Sequence, residues 1–203
     1  MSPRVISGSA KGRKLFSLPG NIVRPITDRA KEALFNILGP DIFGATLLDL
    51  FAGIGGVGIE ALSRGAAFVR FIEWNPKVVR VLRQNLAHCR LNDPQRAEVL
   101  HMDAFALLTH PPDWAFDYIF IAPPQYKGLW KKALLLVDEH PGWLAEDGWV
   151  IVQIHPNEYE AVPLRHLREF DQRRYGSVLL VFYERVAQNT PEDMADEGEA
   201  TQA

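Results

Sequence analysis

Three carboxylates stand at the ends of short apolar runs: Asp49 in Thr46–Leu50, Glu73 after Phe68–Ile72, and Asp103 after Glu98–Met102. Between the first two lies FAGIGGVGIEALSRGA, where Gly53, Gly55 and Gly58 fit the spacing G-x-G-x-x-G. Glycines so spaced let the backbone approach a ligand closely, and the N-terminus of the helix that follows offers free N–H groups. Glu73 comes eighteen residues after Gly55, and an acid near that distance, at the tip of a second strand, can accept hydrogen bonds from both hydroxyls of a ribose. Asp49 precedes the first glycine by four residues and can accept from a ligand ammonium, a group that a dinucleotide pyrophosphate lacks. Asp103, or the amide after it, can meet an adenine edge.

A fourth feature is Asp117–Tyr126, read as DYIFIAPPQY. Its β-prone run stops at Pro123-Pro124, because two prolines supply no backbone donors and cannot continue a central strand. In open α/β sheets the ligand crevice lies outside the carboxyl ends of the strands, so the residues after such a stop line a site. A dehydrogenase has no reason to place a proline pair there. Together with Asp49, this favours S-adenosylmethionine (SAM) and a methyltransferase over a dinucleotide enzyme. Six histidines show no pair at i, i+4 on one helix, so no metal site is expected.

The elements that must hold these residues follow from periodicity. Thr27 is a plausible N-cap for a helix carrying Ala30, Ala33, Leu34, Ile37 and Leu38 and stopped by Gly39-Pro40, with Arg29 and Lys31 on its other sides. Val78, Val79, Leu82, Leu86 and Cys89 mark a helix from Pro76, Ala104–Leu108 a short one, and Leu129–Val137 another. Trp143–Asp147 reads as a loop, Trp149–Ile154 as a fifth strand, and Glu169–Tyr175 with Ser177–Glu184 as an antiparallel pair around Gly176. The fold class is α/β, a Rossmann-like, mostly parallel doubly wound sheet with an antiparallel C-terminal edge and a small N-terminal hairpin extension.

The chain has 203 residues, 47% hydrophobic and 23% charged, the balance of an ordinary globular protein. One cysteine excludes an internal disulfide and points to a reducing compartment, with Cys89 as inert packing. No stretch approaches the roughly 18 to 20 apolar residues of a membrane span and no signal-peptide core is evident, so a cytoplasmic protein is expected. Charge is uneven: Met1–Lys31 holds seven bases against one acid, while five acids and no base follow Arg185. The expected organisation is a basic arm over 1–23, a catalytic domain over 24–186 and an acidic disordered tail over 187–203. A basic arm suits a phosphate-bearing partner.

RVISGSAKGRKL (Arg4–Leu15), RPITDRAKEALFNILG (Arg24–Gly39) and LLDLFAGIGGVGIEALSRGA (Leu47–Ala66) resemble the RsmD family, bacterial methyltransferases acting on a guanine N2 in small-subunit ribosomal RNA. The resemblance runs from about Arg4 to Glu184, and RPITDRAKEALFNIL is its family-specific part. It implies SAM as cofactor, with Asp49, Phe51, Gly53 and Gly55 at the methionine end, Glu73 and Trp74 at the ribose, and Asp103 and Ala104 at the adenine. It implies that Arg4, Lys11, Arg13, Arg24 and Arg29 face RNA phosphates, that the substrate is ribosomal RNA or the small-subunit particle, and that the protein is a monomer. Methyl transfer itself falls to Ala122, Pro123, Pro124, Gln125 and Tyr126, where the chain departs from the family pattern of Asn or Asp, two prolines and an aromatic. Ala122 has no side-chain acceptor for an amine, and Gln125 replaces a stacking ring that Tyr126 or Trp130 could supply. Two alternatives to guanine methylation remain open: a silent factor that binds SAM and RNA, and a methyltransferase with another acceptor atom.

Overall fold

Short apolar runs alternating with amphipathic helices assemble as βα units around a single sheet. The structure, a computed structural model, describes residues 3–18 and 26–186. After helix α1 (Asp28–Leu38) come β1 (Thr46–Asp49), α2 (Gly58–Ser63), β2 (Phe68–Glu73), α3 (Pro76–Cys89), β3 (Ala97–His101), α4 (Ala104–Leu108), β4 (Phe116–Ile121), α5 (Leu129–Glu139), β5 (Leu144–Ile154), β6 (Leu167–Tyr175) and β7 (Val178–Arg185). The sheet order is β3-β2-β1-β4-β5-β7-β6, with β1 to β5 parallel and β7 antiparallel to both β5 and β6. From β1 the chain winds outward to β2 and β3 on one side, then returns to β4 and β5 on the other. That reversal between β1 and β4 is where ligands bind in doubly wound sheets.

Each face of the sheet buries one core. On one side Leu47, Phe71, Phe120 and Ile151 pack with Leu34 and Phe35 of α1, Ile59 of α2, Leu82 of α3, and Val5 and Leu15 of the arm. On the other, Leu48, Ile119, Val150 and Val152 pack with Leu107, Leu108, Trp130, Leu134 and Val137 of α4 and α5. Local chemistry fixes the helix starts: Thr27 Oγ1 accepts from the Ala30 amide at 3.2 Å, as expected, and Asn75 and Asp103 also cap α3 and α4.

The arm pairs with itself through one antiparallel bridge, Arg4 with Lys14. A longer hairpin does not form because the body takes its donors: the Ile6 and Ser7 amides donate to the Glu60 carboxylate, Ser9 N to Ser63 O and Ala10 N to Ser63 Oγ. Gly8 is in the left-handed region (φ 81°) against α2, where a Cβ would sit 1.8 Å from Ser63 O. Other expectations need correction. Lys31 is not on a solvated side of α1: it is buried beside Glu60 at 3.3 Å, a partner that sequence distance conceals. Of the loop expected over Trp143–Asp147, only Trp143 precedes β5, in a short helical turn; the strand starts at Leu144 and absorbs 145–148 in an irregular pairing between Phe116 and Tyr118. Trp130 is buried in the core on α5 and cannot serve as a stacking surface. Arg24 and the tail over 187–203 lie outside the described residues.

Candidate functional site

The glycine turn after β1 is held from below by two carboxylates. Asp49, at the end of β1, accepts from the Gly58 amide (3.2 Å), which starts α2. Glu73, at the end of the neighbouring strand β2, accepts from Gly53 N (3.1 Å) with one oxygen and from Asn75 N (2.8 Å) with the other. Gly53 and Gly55 both adopt positive φ, at 54° and 89°, so the turn is closed by residues without a Cβ penalty. The register places Thr46–Asp49 directly beside Phe68–Phe71, so the two acids emerge at the same end of the sheet.

Burial sets the electrostatics. Asp49 is almost wholly enclosed, and desolvation pushes its carboxyl up to about 7, against the pull of the Gly58 amide; the charge of Glu73 adds to the rise. Glu73 is raised by burial as well, opposed by the amides of Asn75, Gly53 and Trp74. A carboxylate that costs this much to ionise, and whose one hydrogen-bond donor among the described residues is the Gly58 amide, is suited to a cationic ligand group. That observation fits the ammonium of SAM.

Asp103 follows β3 as the cap of α4, with Oδ1 accepting from Phe105 N (2.8 Å) and Ala106 N (3.0 Å). Ala104 is buried in the first turn. The ring of Phe51, in the turn after β1, meets that of Phe105 edge-on at 5.8 Å, which draws the glycine turn and α4 together. Trp74 is exposed, and its carbonyl lies 2.9 Å from His101 Nε2. The structure thus brings Asp49, Phe51, Gly53, Gly55, Glu73, Trp74, Asp103 and Ala104 to the carboxyl ends of three adjacent strands.

Beyond β4, Ala122 packs partly buried against the core, Pro123 is buried, and Pro124 and Tyr126 are exposed. Tyr126 has φ 60°, a left-handed conformation that an aromatic residue rarely takes. It is stabilised by a contact that no local pattern announces: Glu158 accepts from Tyr126 N with Oε2 (2.6 Å) and from His155 N with Oε1 (3.2 Å). The Tyr126 ring lies 5.6 Å from that of His155. The clamp holds the left-handed turn and leaves the Tyr126 ring exposed beside His155. The sequence signal for it was limited to a carboxylate shortly after β5.

Of the basic residues expected to face RNA, Arg4 is exposed and paired with Asp28 (3.0 Å), Lys11 and, on α1, Arg29 are exposed, and Arg13 is half-buried and donates to His88 O. Buried Asn85 of α3 joins arm to site: it accepts from Phe16 N (2.7 Å) and donates to both Phe16 O (3.1 Å) and Ile54 O (2.9 Å).

The family described as conserved hypothetical protein 95 matches residues 3–184. Relatives include the ribosomal RNA small subunit methyltransferase D of Escherichia coli (strain K12), 35% identical over 186 residues and covering 91% of each chain. That of Haemophilus influenzae is 38% identical over 151 residues, covering 74% of this chain and 77% of that one. The solved structure of Escherichia coli yhhF superposes with a TM-score of 0.79 at 32% identity, over 93% of this chain and all of that one. An RNA methyltransferase from Salinibacter ruber, solved with S-adenosyl-L-homocysteine, shares the fold at 16% identity, with a TM-score of 0.60 over 84% of this chain and 98% of that one. Strand order, glycine turn and relatives agree: the chain belongs to the RsmD family and is a SAM-dependent methyltransferase.

Proposed function

We propose that this protein methylates the N2 amine of a guanine in small-subunit ribosomal RNA, acting as a monomer in the cytoplasm. The observation that carries the reading is the placement of Asp49, Glu73 and Asp103 with the proline-terminated end of β4 at the carboxyl ends of four adjacent strands. The relatives named as ribosomal RNA small subunit methyltransferase D supply the RNA class. Among the described residues, no helix is long and apolar enough to cross a membrane.

SAM supplies a methyl group made electrophilic by its sulfonium. Asp49 holds the ammonium, Phe51, Gly53 and Gly55 shape the turn around the methionine end, Glu73 accepts from the ribose hydroxyls with Trp74 alongside, and Asp103 and Ala104 receive the adenine edge. A guanine amine is a poor nucleophile because its lone pair is delocalised into the ring. Hydrogen bonds from the amine to nearby oxygens favour the pyramidal geometry of attack. Backbone carbonyls at Ala122 or Pro123 offer such oxygens, and the exposed Tyr126 ring offers a base a stacking surface. Arg4, Lys11, Arg13 and Arg29, with Arg24, bind RNA phosphates, and the arm (1–23) works as an extension of the catalytic domain (24–186).

A second reading, a silent SAM- and RNA-binding factor, is favoured by one observation, the missing side-chain acceptor at Ala122. Transfer from labelled SAM separates the two. Unmethylated small-subunit RNA and the assembled particle are each incubated with the enzyme, and the product is mapped by nuclease digestion and mass spectrometry. Label confined to one N2-methylguanine supports the enzyme. Saturable SAM binding without label transfer supports the silent factor, and label on another atom supports a changed target.

A further inference from the structure

Ala122 leaves the target amine without a side-chain acceptor from β4, but the neighbouring strand carries one at the same level. The β4–β5 ladder runs Tyr118 with Trp149, Ile119 with Val150, Phe120 with Ile151 and Ile121 with Val152. The next step, just past the end of β4, sets Ala122 beside Gln153, on strands about 4.8 Å apart. Side chains alternate between faces, and the face is known here: Tyr118, Phe120, Trp149 and Ile151 all join the core over which Ala122 packs. Gln153 projects to that same face. It is also the face of Asp49, which pairs with Phe120 and so lies one side-chain row, about 7 Å along the strand direction, below Ala122 on the adjacent strand, with Gln153 one strand further across.

Gln153 is anomalous in this position. Its Oε1 exposes less than 1 Å² and has no hydrogen-bond partner among the described residues, although buried polar groups are nearly always satisfied. On its other flank β7 presents Leu180, which offers nothing to accept or donate. Gln153 as a whole keeps part of its surface exposed. The terminal torsion of a glutamine is broad and roughly two-fold, so the amide can turn its oxygen outward; the oxygen gives up no hydrogen bond in doing so, and the NH2 turns into the place it leaves.

We propose that Gln153 Oε1 accepts an N–H of the methyl-accepting amine, in place of the acceptor that Ala122 lacks. The inference rests on the amine-methylation reading above. A longer side chain on the adjacent strand can reach the point that a short one on β4 would have occupied. An amide oxygen accepts without requiring a charge to be buried. With the backbone carbonyl after β4, the amine then has two acceptors, enough to orient both of its hydrogens.

The test compares wild type with Gln153→Leu, Gln153→Glu and the double variant Gln153→Leu/Ala122→Asn, using labelled SAM and unmethylated small-subunit RNA. Gln153→Leu should lower kcat by about 10²- to 10³-fold, the usual cost of one preorganised hydrogen bond, while the Kd for SAM and the KM for RNA stay within about twofold. Its melting midpoint should be unchanged or higher, since the substitution removes a buried oxygen without a partner; a purely structural role would lower it. Gln153→Glu keeps an acceptor and should retain more activity than Gln153→Leu, and Ala122→Asn in the Leu background should recover at least about tenfold. A kcat for Gln153→Leu within twofold of a working wild type overturns this inference alone, as does a deficit that Ala122→Asn leaves untouched. No transfer by the wild type to either RNA or particle overturns it together with the reading on which it rests.

Discussion

Asp49 carries the sharpest residue-level consequence, because enclosure raises its carboxyl to about 7. A cationic ligand binds the ionised form, so SAM affinity should weaken as pH falls from about 7.5 to 5.5, approaching tenfold per unit below the titration point. Asp49→Asn should flatten that profile and weaken SAM binding by about 10- to 100-fold, the worth of a charge-assisted hydrogen bond. Titration calorimetry across the range checks both, and a pH-independent wild type would refute the assignment. The same shift acts oppositely on the unliganded fold. Between about pH 4 and 7 the folded state holds a proton that the unfolded chain has released, so this group subtracts stability as pH rises through that window. Tyr126 makes a second case. Its ring is exposed while its backbone is strained, so ring and backbone separate cleanly by mutation. Tyr126→Gly relieves a left-handed cost of about 1–2 kcal/mol and should not lower the melting midpoint. It should still raise the KM for RNA by about 5- to 100-fold through lost stacking, whereas Tyr126→Phe should stay near wild type in a steady-state assay.

Among elements, α1 and α2 depend on an ion pair sealed between them. Glu60 is fully buried and accepts from Lys31 (3.3 Å), Arg64 (2.8 Å) and the Ile6 and Ser7 amides of the arm. Burial holds the Lys31 ammonium below its usual pKa, partly restored by Glu60. Glu60→Gln leaves that ammonium enclosed without its paired carboxylate and should cost about 3–5 kcal/mol. Chemical denaturation measures the loss, and limited proteolysis should cut the arm first. The sequence could not announce this pair, because Lys31 and Glu60 come together only when the two helices pack. What it did announce was local: the cap at Thr27, the glycine turn after β1, and apolar runs ending in acids, from which the α/β fold class follows. The acceptor half was less legible for the same reason as Lys31. Glu158 reaches Tyr126 across 32 residues, and Gln153 matters only through its strand neighbour, so both depend on tertiary pairing rather than spacing. Trp130 shows the converse, an aromatic near the motif that helical packing removes from the surface.

At the scale of the whole molecule, the arm and the cofactor turn form one continuous surface rather than a body with an appendage. Asn85 grips Phe16 of the arm and Ile54 of the glycine turn at once, and Glu60 and Ser63 fix the arm to the helix that the turn begins. If the arm holds RNA, these contacts among the described residues would set that RNA at a fixed offset from the glycine turn. The basic residues do not contribute alike. Arg4 already spends charge on Asp28 and Arg13 donates to a carbonyl on α3, whereas Lys11 and Arg29 are exposed and have no ion pair among the described residues. If Lys11 and Arg29 each neutralise one phosphate, the Lys11→Ala/Arg29→Ala variant should reduce the slope of log affinity against log salt by roughly 1.4 to 1.8, at about 0.7 to 0.9 per contact. Arg4→Ala should change the slope less, because its guanidinium is already engaged by Asp28. Fluorescence anisotropy with labelled small-subunit RNA between about 50 and 200 mM salt reads these slopes, and the Kd for SAM should stay constant across all three proteins. An unchanged slope in the double variant would move the RNA path off Lys11 and Arg29.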